Sequence, residues 1–207
     1  MKKEHICRIF SRIPELETER LILRKMRVGD EEDMYAYARK SEVTRYLLWS
    51  PHPDIYYTRD YLRYLATRYA AGSYYDWGVV LKSSGRMIGT CGFTAFDCSH
   101  DAAEIGYVLN PDYRGQGIAP EAVRAVLAFG FEKLALNRIE ARFIEGNEAS
   151  LRVMEKVGMH FEGYRREAML IKGVYRTIGY ASILRREYEA LVSKNDESSQ
   201  KNADFGQ

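Results

Sequence analysis

The order of apolar patterns along the chain predicts an α/β (α+β) protein, with a mixed and mostly antiparallel sheet of about seven strands and helices on both faces. Three strand-like segments follow one another in the middle of the chain, which is typical of an antiparallel meander. A glycine-rich turn and a long helix then separate two further strand-like segments, which is typical of a parallel pair. Two final strands flank the two-residue turn Lys172-Gly173 and are predicted to form a hairpin.

In the first half of the chain, Leu21 to Val28 alternates as a strand does. Gly29-Asp30 ends this strand, and Asp30 is a good N-cap for a helix that runs to about Lys40. A second helix is predicted from about Thr58 to Ala71, because its apolar residues recur every three or four positions. The three strands of the meander are predicted at Tyr74–Leu81, Met87–Phe96 and Ala103–Leu109.

In the second half, the long helix is predicted to begin near Gly115 to Ala119 and to end at about Leu134. A short helix follows at Asn147 to Val157, and Gly158 is suited to its C-terminal end. The remaining segments are predicted to be strands, at Ile139–Ile144, Tyr164–Ile171 and Tyr175–Leu184.

Length and composition are those of one globular domain. The chain has 207 residues, of which 46% are hydrophobic and 29% charged, and no apolar run reaches the ~18 residues of a membrane span. Residues 1–192 are therefore predicted to form a single domain, in which the packing of residues 1–18 is left open. Residues 193–207 are polar and are predicted to form a disordered tail.

Charge and cysteine content argue against several classes of partner. Lysine and arginine number 31 and aspartate and glutamate 29, so the net charge is +2 and no nucleic-acid partner is expected. The three cysteines form no CxxC pair, so we expect free thiols and no metal site. The N-terminus lacks the apolar block of a secretory signal, and we expect a cytoplasmic protein without a membrane partner. Both a monomer and a homodimer are compatible with the sequence.

The turn before the long helix has the composition of a pyrophosphate site. Arg114 offers a planar cation, and Gly115 and Gly117 allow an anion to approach the free amides at the helix N-terminus. The turn is not a Walker loop, because no Lys-Ser or Lys-Thr follows it, and Pro120 breaks the dinucleotide fingerprint. The pattern is Arg-x-x-Gly-x-Ala, and a simple chain reversal is the alternative interpretation.

The short helix begins with two polar residues, Asn147 and Ser150, which lie on nearly the same side. Asn147 is a good N-cap, and this role alone would explain its presence there. Alternatively, both side chains can hydrogen-bond a ligand that lies between two diverging strands.

These segments together resemble the GNAT superfamily of N-acetyltransferases, and within it the RimJ/RimL-type branch related to ribosomal-protein N-terminal acetyltransferases. The similarity covers about residues 16 to 191 and includes the stretches Leu16–Arg24, Met87-Ile88-Gly89, Glu104–Tyr107, Arg114–Ala119 and Asn147–Gly158. The resemblance implies a GNAT fold with a central splayed parallel pair. It also implies acetyl-CoA as cosubstrate, without a metal, and direct attack by an amine.

The resemblance further implies a set of cofactor contacts. The loop amides would hold the pyrophosphate, and the loop residues are Arg114, Gly115, Gln116, Gly117, Ile118 and Ala119. The backbone of Val108 and Leu109 would pair with the pantetheine arm. Asn147 and Ser150 would lie near the pantetheine and the sulfur.

The strand before the glycine-rich loop carries a candidate catalytic residue. Glu104 shares a strand face with Gly106, which leaves room for a substrate, so Glu104 is the candidate base. A solvated or ion-paired carboxylate is the alternative role for Glu104, and Glu167 or solvent is the alternative base. Ser150 is the candidate proton donor to the thiolate, and Tyr188 is a further available hydroxyl.

The acceptor amine is left open by the sequence. A protein or peptide N-terminus is one possibility, a polyamine, amino sugar or antibiotic another, and a non-catalytic acyl-CoA-binding module a third. Aromatic residues crowd the helical region, where they can pack in the core or line an acceptor groove; they are Tyr46, Trp49, Tyr56, Tyr57, Tyr61, Tyr64 and Tyr69.

Overall fold

The computed structural model describes residues 3–204 of the protein, and the side chains of residues 3–194. Its strands are β1 (Leu16–Glu17), β2 (Leu21–Arg24), β3 (Tyr75–Leu81), β4 (Met87–Asp97), β5 (Ala102–Leu109), β6 (Arg138–Ile144), β7 (His160–Ile171) and β8 (Val174–Leu184). They form one sheet in the order β1-β2-β3-β4-β5-β6-β8-β7. Every neighbouring pair is antiparallel except β5 and β6, which are parallel. The predicted mixed sheet is confirmed, and the eighth strand is the two-residue β1.

The α-helices are α1 (Lys3–Phe10), α2 (Glu31–Ala38), α3 (Ser41–Thr44), α4 (Ile55–Ala70), α5 (Ile118–Ala128), α6 (Glu148–Lys156) and α7 (Arg185–Asp204). A π-helical turn at Phe129–Lys133 extends α5. The helix α7 extends into the segment 193–207 that was predicted to be disordered. The side chains from residue 195 onward, and residues 205–207 entirely, lie outside the described part of the chain. No helix in the described residues is long and apolar enough to cross a membrane.

The strand β2 is shorter than the predicted strand from Leu21 to Val28. It ends at Arg24, whose guanidinium binds both carboxylate oxygens of Asp30 at 2.7 and 2.8 Å. The backbone N–H of Met26 donates to the Tyr69 hydroxyl instead of to a neighbouring strand. The chain therefore leaves the sheet at Lys25, and the alternating residues after it serve a turn.

The N-terminal extension packs onto the domain through α1. Ile6 and Phe10 are 1% and 0% exposed, and the Phe10 ring lies 5.0 Å from that of Tyr75 and 5.5 Å from that of Trp77. The Trp77 indole N–H donates to the carbonyl of Pro14. This helix closes one face of the sheet, and α2 and α4 lie against the other, so that the pocket described below opens between the sheet and the helical region.

Candidate active site

A glycine-rich loop joins β5 to α5 and carries a row of unpaired backbone amides. A 3-10 turn at Pro111–Tyr113 begins the loop, and Gly115 and Gly117 follow with left-handed φ angles of 76° and 75°. No hydrogen bond from the N–H groups of residues 115–119 reaches any other described residue. These amides lie at the N-terminal end of α5, where unpaired N–H groups and the helix dipole favour an anion.

The space in front of this loop is open. A Cβ atom built on Gly115 would meet nothing within 4 Å, and one built on Gly117 would meet only Nη2 of Arg20, at 3.6 Å. The exposed Arg114 side chain adds a positive charge next to the free amides. The loop therefore has the free amides, the open space and the positive charge that binding of a pyrophosphate requires.

Arg20, to which the sequence analysis gave no role, holds the loop from the side. Its Nη1 donates to the carbonyl oxygen of Gln116 at 2.9 Å, and its Nε donates to Glu121 at 2.7 Å. Since the C=O and N–H of a trans peptide point in opposite directions, this bond turns the N–H of Gly117 away from Arg20 and toward the open space. The hydroxyl of Thr18 also donates to Glu121, at 2.6 Å.

Replacing Arg20 with alanine should therefore weaken acetyl-CoA binding by about 3- to 10-fold, because one charged hydrogen bond that orients the loop is lost. Isothermal titration of both proteins with acetyl-CoA measures the change. Arg63→Ala, which removes an exposed ion pair with Asp60 on α4, is the matched control and should bind as the parent does. Equal affinities for Arg20→Ala and the parent would show that the loop holds its shape alone.

The parallel strands β5 and β6 separate toward their C-terminal ends, before the glycine-rich loop begins, and leave a gap in the sheet. Their last paired residues are Ile105 and Ala141, so that β5 has no partner on that side from Gly106 to Leu109. A cavity of about 400 Å³ occupies this gap and is lined by residues from both sheet faces. Of the predicted cofactor residues, Val108, Asn147 and Ser150 line it. The splayed pair expected from the resemblance is present.

Glu104 also lines the cavity, 13% exposed, and forms an ion pair across the gap. Its Oε1 lies 3.1 Å from Nε of Arg142 on β6 and accepts a hydrogen bond from the Thr94 hydroxyl at 2.7 Å. No described residue hydrogen-bonds to its Oε2. Glu104 therefore forms an ion pair, which was the alternative role considered for it from the sequence. Its second carboxylate oxygen is still available to accept a proton.

Ser150 lies on the opposite side of the gap, beside Tyr107. The Tyr107 hydroxyl donates to the carbonyl of Ser150 at 2.9 Å, so the Ser150 hydroxyl is the donor in the 2.8 Å hydrogen bond between the two hydroxyl groups. Burial raises the pKa of Tyr107, although the hydrogen bond with Ser150 opposes this. Tyr107 therefore stays protonated and positions Ser150. The Asn147 side chain accepts from the N–H of Ser150, at 3.4 Å, and caps α6.

Other candidates from the sequence lie away from the cavity. Glu167 is exposed on β7, with a φ of 49°, and is absent from the cavity lining. The Tyr188 hydroxyl donates to Glu132 at 2.5 Å, and its ring stacks on Phe131. Within residues 3–194, no group of three or more His, Cys, Asp or Glu residues is arranged to hold a metal ion.

The aromatic residues of the helical region divide between core, surface and cavity. Tyr69 is fully buried, whereas Tyr56 and Tyr64 are 67% and 52% exposed. The cavity is lined by Tyr46, Trp49, Tyr57 and Tyr61 together with Tyr37, Tyr74 and His52. The side of the cavity away from the glycine-rich loop is thus largely aromatic.

Comparison with known proteins identifies the family and confirms the resemblance. Residues 20–160 match the acetyltransferase (GNAT) domain family. The uncharacterized N-acetyltransferase p20 of Bacillus licheniformis is 35% identical over 84% of this chain and 97% of its own length. The putative ribosomal N-acetyltransferase YdaF of Bacillus subtilis is 34% identical over 53% of this chain and 60% of its own.

A solved structure agrees with these sequence matches. The crystal structure of a GNAT-family acetyltransferase from Bacillus anthracis is 31% identical, has a TM-score of 0.75, and covers 84% of this chain and 100% of its own. Family, fold and a cavity at the splayed strands therefore agree. The chain belongs to the GNAT family and is an N-acetyltransferase, an enzyme that transfers an acetyl group to an amine.

Proposed function

We propose that the chain binds acetyl-CoA with its pyrophosphate on residues 114–119 and its thioester in the gap between β5 and β6, where a primary amine attacks it directly. The unpaired amides of residues 115–119 carry this proposal, because they lie at a helix N-terminus with open space before them. Val108 and Leu109 offer an unpartnered strand edge to the pantetheine arm.

The reaction requires a proton acceptor, an oxyanion donor and a proton donor. The amine nitrogen forms a bond to the thioester carbonyl carbon, and Oε2 of Glu104 takes the proton that the amine loses. The tetrahedral oxyanion then collapses, and the carbon–sulfur bond breaks to release the thiolate. A backbone N–H near Val108 donates to the oxyanion. The hydroxyl of Ser150, whose oxygen lies 2.8 Å from that of Tyr107, turns to the departing thiolate, gives it a proton and takes another from solvent.

The need for a base depends on the acceptor. A chain α-amine has a pKa near 7.8, so roughly one molecule in seven is neutral at pH 7, whereas a lysine-like amine near 10.4 leaves roughly one in 2,500. The relative named as a putative ribosomal N-acetyltransferase supports a protein N-terminus as acceptor. The aromatic cavity of about 400 Å³ is of a size that suits a small amine.

Thermal unfolding with acetyl-CoA tests the cofactor site. At a ligand concentration one hundred times its Kd, the free energy of unfolding should rise by ~2.7 kcal/mol, because only the folded loop presents the amides. CoA without the acetyl group should also stabilise the protein, since it carries the same pyrophosphate. An unchanged melting temperature at millimolar acetyl-CoA would contradict the proposed site.

A further inference from the structure

Asp76 places an unpaired carboxylate oxygen beside the cavity. It lies on β3 opposite Gly92 of β4 and lines the cavity together with Thr90. Its Oδ1 is buried, and among the described residues it is the one buried side-chain nitrogen or oxygen without a hydrogen-bond partner. No arginine, lysine or histidine forms an ion pair with it in this part of the chain. By contrast, the buried Asp30 is paired with Arg24.

A half-buried carboxyl without an ion-pair partner is costly to ionise, and a ligand of opposite charge would lower that cost. Burial raises the pKa of Asp76 from its ordinary value of 3.8 to about 7, and the Thr90 hydroxyl and the N–H of Trp77 offset this only in part. Oδ1 packs against Gly92, so a cationic ligand in the cavity would bind the carboxyl through its other oxygen and lower the cost of its negative charge.

The groups that surround Asp76 favour such a cation. Its ionisable neighbours on α2, on α4, on β4 and just before β3 all have pKa values raised by burial and stay neutral at pH 7; they are Tyr37, Tyr61, Tyr69, Tyr74 and Cys91. His52 is buried, and its Nδ1 shares a hydrogen bond of 2.8 Å with the Thr58 hydroxyl. Burial lowers the pKa of His52. The groups next to Asp76 are therefore uncharged and mostly aromatic, and such rings attract cations.

Sheet geometry separates Asp76 from the reacting nitrogen. Asp76 pairs with Gly92, and Gly92 pairs with Gly106 at the edge of the gap. Two strand spacings put the Cα atoms of Asp76 and Gly106 roughly 9–10 Å apart. Asp76 is too far from Gly106 to take a proton from an amine held there by Glu104, but it is placed to bind a second group on the same molecule.

We propose that Asp76 binds a second, positively charged amino group of the acceptor, so that the enzyme prefers a small diamine or polyamine to an amine with one charge. This inference rests on the proposed function, since it takes the nitrogen that is acetylated to lie at the gap. The aromatic residues that line the cavity near Asp76 give the aliphatic chain an apolar surface.

The test compares 1,4-diaminobutane with butylamine, which has the same carbon chain and one amino group. We expect the parent to show kcat/KM about 10-fold or more higher for the diamine, the value of one desolvated charged hydrogen bond. In Asp76→Asn the ratio of the two kcat/KM values should fall about 10-fold, through KM for the diamine. Asp60→Asn, an exposed carboxylate on α4, should keep the parent ratio.

Thermal unfolding shows whether Asp76→Asn is folded and measures cation binding independently of acetyl transfer. Between about pH 4 and pH 7 the folded parent holds a proton on Asp76 that the unfolded chain releases, so this carboxyl destabilises the parent increasingly as pH rises. The melting temperature of Asp76→Asn should therefore exceed that of the parent by a margin that grows over this range. Added 1,4-diaminobutane should stabilise the parent and not the variant.

The outcomes separate this inference from the proposed function. Stabilisation by the diamine that depends on Asp76 supports the cation site even if no amine is acetylated. Turnover of both amines at equal efficiency in parent and variant overturns the inference and leaves the acetyltransferase intact. A peptide α-amine that is acetylated more efficiently than the diamine, in both proteins, overturns it in favour of a protein acceptor.

Discussion

Replacing Gly117 with valine should weaken acetyl-CoA binding by about 100-fold. The valine side chain would stand in the open space before the amides of residues 115–119. A β-branched residue also resists the φ of 75° that Gly117 adopts, so the loop would shift and its N–H groups would turn away from the pyrophosphate. Loss of two charged hydrogen bonds at about 1.5 kcal/mol each gives an effect of this size. Isothermal titration with acetyl-CoA measures it.

Gly85→Val is the matched control for this substitution. Gly85 has a φ of 68° and open space around its Cβ position, and it lies in the turn between β3 and β4, away from the loop. Both variants should lose similar stability, since both force a β-branched residue into left-handed backbone. If Gly117→Val folds and binds acetyl-CoA as tightly as Gly85→Val does, the pyrophosphate is bound elsewhere.

Replacing Glu104 with glutamine should lower turnover by about 10²-fold at pH 7, the usual effect of losing a general base. The affinity for acetyl-CoA should stay within about threefold, because the loop amides hold the cofactor without Glu104. The loss should shrink as pH rises toward the pKa of the acceptor amine, since more amine is then neutral without help. Rates of thiol release across pH measure both effects.

The ion pair of Glu104 requires its own control. Arg142→Gln breaks the 3.1 Å contact but keeps the carboxylate, so turnover should fall much less than in Glu104→Gln. Glu167→Gln changes an exposed carboxylate outside the cavity and should behave as the parent. Equal losses in Glu104→Gln and Arg142→Gln would mean that Glu104 serves the structure of the gap, and solvent would then deprotonate the amine.

Local patterns were sufficient to predict the sheet and the glycine-rich loop before α5. The strand that ends before Asn110, the glycines at positions 115 and 117 and the apolar face of α5 are adjacent in sequence, so their joint structure follows from local rules. The helix α1 was missed, although Ile6, Ile9, Phe10 and Ile13 recur at helical spacing. Its stability comes from packing on distant rings such as Trp77, which a sequence pattern does not show.

Long-range contacts explain what the sequence left undecided at the site. Arg20 and Glu121 are far apart along the chain, and only the fold brings the arginine to the loop. Likewise, the partner of Glu104 lies on another strand at Arg142. Asp76 belongs to no motif, and its importance depends on having no partner after folding, which the residues near it in sequence do not reveal.

Acetyl transfer itself tests the central claim most directly. The full chain is incubated with acetyl-CoA and a panel of peptides, diamines and amino sugars, and thiol release is measured together with the mass of each amine. We predict one acetylated amine for each thiol released, and thiol release about 100-fold slower in Gly117→Val at an acetyl-CoA concentration well below the Kd of the parent. Stabilisation by acetyl-CoA without an acetylated amine in any sample, or thiol release that is unchanged in Gly117→Val, would contradict the account.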